Sequence, residues 1–205
     1  MTSKLDIGNR ALTKLGEARI TSFDEDSKSA ETLTSMWDVV LKAELRANIW
    51  NFAKARALLA ASSTAPAFGF ARAFPLPTDW VRNLQVGPFL VYPKVDQRGL
   101  FSVEGKLILT DLPAPLQLRY IALPSDTTSF DALFVEVLAC RLAAECAEPI
   151  CQSTTKAQAK WQEYTAAMGV AKRANAIERP SQPLADDTWM EARGYSGHHN
   201  LHGGF

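Results

Sequence analysis

The side chains best suited to chemistry fall at the end of the chain, on one long helix and at one acidic turn. All three histidines come last, as His198, His199 and His202. Their spacing offers imidazoles to a metal, but on a stretch with no periodic apolar face, so polar contacts to a partner are the expected role. No histidine precedes residue 198, which confines imidazole acid–base catalysis to that terminal stretch. Three cysteines, Cys140, Cys146 and Cys151, make no even framework and point to a reducing compartment. Cys140 reads as a small buried hydrophobe. Cys146 and Cys151 straddle a turn and are near enough in sequence to meet, with structural thiols the expectation. Asp24, Glu25 and Asp26 are the acidic group open to a metal or partner, although carboxylates also gather where a helix begins because its dipole favours them. Phe68, Phe70 and Phe74 have the aromatic spacing of a stacking platform for single-stranded nucleic acid, yet one arginine nearby and no basic groove favour core packing.

Familiar catalytic patterns are missing from the sequence. There is no G-x-G-x-x-G, Gly105-Lys106 lacks the upstream glycine of a phosphate loop, and no H-E-x-x-H occurs. Gly194-Tyr-Ser-Gly197 is one residue short of a nucleophile elbow. No catalytic set, cofactor or metal is therefore expected.

The elements that would position any site are easier to read. At 205 residues, 47% apolar and 21% charged, the chain is a globular protein of one domain or two small ones. Lysine plus arginine equals aspartate plus glutamate at 22 each, so no net field draws in nucleic acid or an anionic membrane. No apolar run has the length of a membrane span, and residues 1–10 lack the pattern of a signal peptide.

Residues 130–146 (FDALFVEVLACRLAAEC) organise the rest. Phe130, Leu133, Phe134, Val137, Leu138 and Leu142 recur at steps of three and four, and the opposite side is mostly alanine with Glu136, Arg141 and Glu145. So thin a polar face predicts a central helix, capped from residues 126–129 and ended by Pro149. A first helix is predicted over 3–15, with Ser3 and Asp6 as a capping box, Gly8 at a close approach and Gly16 beyond its end. A second should start near Ser27 or Ser29 and reach Asn48, burying Leu33, Trp37, Val40, Leu41 and Leu45. A last one, over 153–177, carries a seam of Ala157, Trp161, Tyr164, Met168 and Ala171. Between them the period changes. Residues 66–77 (PAFGFARAFPLP) alternate as a strand with Phe68, Phe70, Phe74 and Leu76 on one face. Thr78 or Asp79 caps a short helical turn with Trp80 and Val81. Strands follow at 89–92, 100–103, 106–109 and 116–123, with Glu104-Gly105 as a hairpin turn. The expected fold is α+β: a four-helix bundle from an N-terminal pair (1–50) and a C-terminal pair (124–179), an inserted antiparallel β module (51–123) and an extended arm (180–205).

Leu15-Gly-Glu-Ala-Arg-Ile-Thr-Ser22, an acidic stretch, and Ser29-Ala30 opening a long helix resemble the start of phage head–tail adaptors. Trp50-Asn-Phe52, residues 66–80 (PAFGFARAFPLPTDW) and two closing helices joined at Glu148-Pro149 continue the likeness in the same order. The chain is similar, over roughly residues 5–177, to the tail tubular protein A family of short-tailed phages and related prophage adaptors. The resemblance implies a structural virion protein and no catalytic residues. It implies a ring, usually twelve-fold, between the portal and the next tail component, with double-stranded DNA passing through unheld. Two candidate contacts go with it. Lys94, Asp96, Gln97 and Arg98, in a loop over 85–99, would face the tail. Leu184, Trp189, Met190, Tyr195, Leu201 and Phe205 would anchor an arm docked on the portal or on a neighbouring subunit. The rival expectations are an enzyme of unknown chemistry acting on nucleic acid and a soluble assembly factor.

Overall fold

The computed structural model describes residues 2–90 and 100–178, which form four helices and two small antiparallel sheets in an α+β arrangement. Helix α1 (Lys4–Leu15) begins with the expected capping box: Ser3 Oγ accepts from Asp6 N at 3.0 Å, and Ser3 N donates to the Asp6 carboxylate at 2.9 Å. It ends at Gly16, whose φ of 76° only glycine adopts without strain. Gly8 is the predicted close approach, because a Cβ there would stand 3.0 Å from the Phe23 ring and 3.4 Å from Leu33. Helix α2 (Lys28–Ala47) is capped by Ser27 and buries all five residues of its expected stripe. Helix α4 (Thr154–Ile177) is capped by Ser153.

Helix α3 (Ala132–Cys151) packs against α1, α2 and α4. Phe134, Val137, Leu138 and Leu142 are fully buried in it, and so are Ala139 and Ala143 on the alanine side, where the neighbouring helices come close. Its ends differ from expectation. The cap is Asp131, whose carboxylate accepts from Leu133 N and Phe134 N; Asp126 instead closes the turn before it through Thr128. Pro149 does not stop the helix. A proline so near the C-terminus forfeits one backbone hydrogen bond, and only two helical residues follow it. The chain leaves the helix at Gln152, at a left-handed φ of 51°.

The strands depart further from expectation. Strand β1 (Lys54–Leu59), absent from the expected set, pairs with β7 (Leu116–Ala122) in a sheet ordered β1-β7-β3-β4, where β3 is Trp80–Val86 and β4 is Phe89–Leu90. Trp80 and Val81 thus sit in a strand, not a helical turn: Leu123 N bonds to Asp79 O and fastens β3 to the end of β7. The second sheet runs β2-β6-β5, with β2 Arg72–Pro75, β5 Phe101–Glu104 and β6 Leu107–Thr110. Only residues 72–75 of the alternating 66–77 stretch form a strand. Gly69 turns the chain at a φ of 88°, and β6 supplies pairing partners for four residues alone. The β5–β6 hairpin turns on Gly105-Lys106, one residue later than expected, because Gly105 takes the positive φ required at the first central position. In place of a loop from residue 85, β3 runs to Val86 and turns at Gly87 into β4; residues 91–99 lie outside the described residues.

Two cores result. One is helical and takes in Val81, Leu84 and Ile121 from the first sheet. The other lies between the sheets, around Phe74, Val86, Ile108, Leu116, Leu118 and Tyr120. Strand β7 serves both, since Leu116, Leu118 and Tyr120 point to one face and Ile121 reaches the helices. Three ties lock the regions together. Trp50, Phe52, Phe130 and Phe134 stack with centroids 4.8–5.5 Å apart in successive contacts. Arg46 Nη1 donates to Val81 O at 2.8 Å. Asn175 spans the end of α4 and the entry to the sheets, donating to Ile49 O and accepting from Asn51 N.

Candidate functional site

The side chains with chemical capacity collect between the helices in two clusters. In the first, Lys14 of α1 reaches between α3 and α4. Its Nζ stands 2.7 Å from Glu136 Oε1 and 2.5 Å from Glu163 Oε1, Arg10 pairs with the other Glu136 oxygen, and Lys160 adds a bond to Glu163 at 2.8 Å. Cys140 Sγ lies 3.7 Å from Glu136 and 3.8 Å from Glu163. Glu136, Cys140 and Glu163 have the ligand types and closeness of a cation site. The Lys14 ammonium, bonded to the same two oxygens that face Cys140, already occupies the position a metal would take. The electrostatics agree. Hydrogen bonds from Lys14 and then Lys160 hold the Glu163 carboxyl down to about 2. Burial works against ionisation of Glu136, but the bond and charge of Lys14, with Arg10, outweigh it and keep its pKa low. Burial raises the Cys140 thiol. Two carboxylates that are both ionised and share an ammonium form an ion-pair clamp; an acid–base pair would need their affinities for a proton pushed apart.

The second cluster surrounds Glu44, 2% exposed on α2. Tyr164 Oη donates to its carboxylate at 2.7 Å, Asn48 donates at 3.4 Å, and Arg141 Nη1 stands 3.7 Å away. Arg141 is itself held by Glu145 at 2.8 Å and lies 4.4 Å from the Trp161 ring centroid. Burial raises the Glu44 carboxyl despite Tyr164 and Arg141, and burial next to Glu44 pushes Tyr164 up to about 12. Trp161, expected in the α4 seam, is 36% exposed because it caps Arg141 from outside; only Met168 and Ala171 of that seam are buried.

The remaining candidates scatter. Asp24, Glu25 and Asp26 are not drawn together: Glu25 accepts from Thr21 N and Oγ1, closing the connector ahead of α2. Cys146 is buried, Cys151 is partly buried against Leu15 and Glu17, and both thiols are free. Phe74 is a core residue as expected, whereas Phe68 stands 88% exposed at the rim of a groove of about 410 Å³ lined also by Phe70, Leu107 and Leu109. Lys94, Asp96, Gln97 and Arg98 lie outside the described residues, as do Leu184, Trp189, Met190, Tyr195, Leu201, Phe205 and the three histidines.

Sequence reasoning missed both clusters. Lys14 and Glu163 are 149 residues apart, and a charge on a helix face gives no sign of its partner. Glu44 had one usable signal: it falls one position before Leu45, inside an apolar stripe where a carboxylate needs a donor. No protein-family model matches the chain, and no curated protein matches it. Among the described residues no helix is long and apolar enough to cross a membrane.

Proposed function

We propose that the chain is a structural virion protein: a head–tail adaptor whose subunits form a ring, of about twelve copies in the resembled family, between the portal and the next tail component. It acts in the virion at the head–tail junction, double-stranded DNA passes through the ring without sequence-specific binding, and no enzymatic step belongs to it. The four helices, with α3 in the middle, serve as the rigid bundle of each subunit. Residues 180–205 serve as the arm docked on the portal, and residues 94–98 meet the tail side. The observation that carries this reading is apolar surface left bare on the strand region and on the helices alike. The charged groups between the helices are tied to one another, while Leu58 of β1, Phe68 ahead of β2, Val39 of α2 and Ile177 of α4 stand 68%, 88%, 66% and 83% exposed. Ring closure needs two non-equivalent faces on each subunit, and bare apolar residues on the strand region and on α2 and α4 are the material for two such faces. A formal net charge of zero suits a conduit that must not retain DNA through counterion release.

The experiment is co-expression with the cognate portal and native mass measurement. A complex holding a ring of adaptor copies is expected, with Phe68→Ser reducing the assembled fraction while the free subunit stays folded. A chain that stays monomeric beside the portal and is missing from purified particles would overturn the reading.

A further inference from the structure

The outer face of the first sheet carries a row of polar side chains that neither core uses. Arg56 and Arg119 are direct partners in the β1–β7 pair, and Gln85 of β3 is opposite Arg119 on its other side. Gln117 is beside them, opposite Leu58. The same face is covered by helices at Ile121, whereas Leu58 and Gln117 further along it are exposed among the described residues. The result is an open cleft of about 420 Å³ lined by these five side chains, with Ala57 and Leu118, and no carboxylate among the described lining residues.

Two features make this more than a solvated surface. Like charges directly opposite one another in neighbouring strands weaken a sheet, so the Arg56–Arg119 pairing works against the fold that contains it. Arg119 Nε is also shut off from solvent and has no hydrogen-bond partner among the described residues, although a guanidinium donor in that state costs stability unless something accepts from it. An anion in the cleft would neutralise the repulsion, and a turn of the Arg119 guanidinium towards it would give the enclosed Nε an acceptor as well.

We propose that this cleft binds a carboxylate of a protein partner, held between the two guanidinium groups, with an apolar neighbour of that side chain covering Leu58. The planar arginine fork fits a carboxylate or a phosphate equally well. The surroundings decide between them. A nucleic-acid backbone needs a run of cations along its path, and here two arginines are flanked by neutral amides and by Leu58, 68% exposed. An acidic side chain with an apolar neighbour matches a charged pair bordered by a bare leucine. The site shares Leu58 with the ring reading but rests on the arginine pair, which that reading does not use.

The test uses the full chain and four probes: a capped peptide of alternating Glu and Leu, the same peptide with Gln for Glu, inorganic phosphate and a 12-nucleotide thymidine strand. The Glu peptide should bind at least about tenfold more tightly than the Gln peptide and shift the Nε–H resonance of Arg119. Arg119→Gln and Arg56→Gln should each weaken it about tenfold or more. Arg56 is exposed, so Arg56→Gln decides the matter if Arg119→Gln fails to fold. Equal binding of the two peptides, no peptide binding, or unchanged affinity in the arginine variants would overturn the proposal. Tighter binding of phosphate or of the thymidine strand through the same arginines would also overturn it, by assigning the cleft to phosphate.

Discussion

Glu163 and Glu44 show how one residue type takes opposite roles a few ångströms from the same helix. Glu163 keeps partial access to water and gains two ammonium partners, so the fold lowers its proton affinity to about 2 from an ordinary 4.5. Glu44 loses its water and gains mainly a phenol and a distant guanidinium, so the fold raises it. The linkage signs follow. Below 4.5 and down to about 2 the unfolded chain binds protons at position 163 that the fold refuses, so this contribution is complete above pH 4.5 and disappears as pH falls through that window. Glu44 does the reverse: the fold takes up its proton first, and acidification removes the cost of burying the charge. Glu163→Gln should therefore flatten the acid side of the melting-temperature profile between about pH 4.5 and 2, with Glu136 still supplying part of the slope. Thermal melts at half-unit intervals measure it. An acid limb as steep as in the parent would mean that the Lys14 bridge contributes nothing to folding.

Among the elements, α3 has the clearest test. It touches each of the other three helices and its Leu138 is fully buried. Leu138→Ala should cost about 2–5 kcal/mol in denaturant unfolding, and a loss below about 0.5 kcal/mol would mean that the helix is not central. The helices were legible in the sequence because what defines them is local: a 3.6-residue stripe, and Ser3, Ser27 and Ser153 as caps. The strands were less so. Alternation over residues 66–77 satisfied the two-residue period, but a strand needs a partner, and only 72–75 have one. Strand β1 was missed because KARALL shows no strong contrast between its faces; it is a strand because β7 offers six consecutive pairings. Clusters of charge were the least legible, since Lys14, Glu136 and Glu163 come from three helices whose register no local pattern encodes. Phe68 is a plain miss: the alternation predicts it in the core beside Phe74, and it stands exposed because its stretch pairs with no strand among the described residues.

The whole molecule separates what folds the chain from what it offers to others. Among the described residues both buried clusters are drawn from positions up to Ala171, and the last described tie runs from Asn51 to Asn175 and Glu178. The proposed portal contact lies wholly beyond that point, in a stretch whose Trp189 and Tyr195 are the residue types that dominate interface energetics. Folding and docking should thus separate cleanly. A chain ending at Glu178 should keep its helical circular dichroism and melt close to the parent, because it retains every described side chain of both clusters. Its affinity for the isolated portal should fall at least tenfold, a loss of about 1.4 kcal/mol or more. Ring formation through the sheets should survive the cut, since Leu58 and Phe68 are untouched, which distinguishes an arm that docks on the portal from one that joins neighbouring subunits. Unchanged portal affinity together with a broken ring would transfer the arm to the subunit interface. A truncated chain that no longer folds would place residues 179–205 among the structural elements of the subunit and remove the ground for calling them a docking arm.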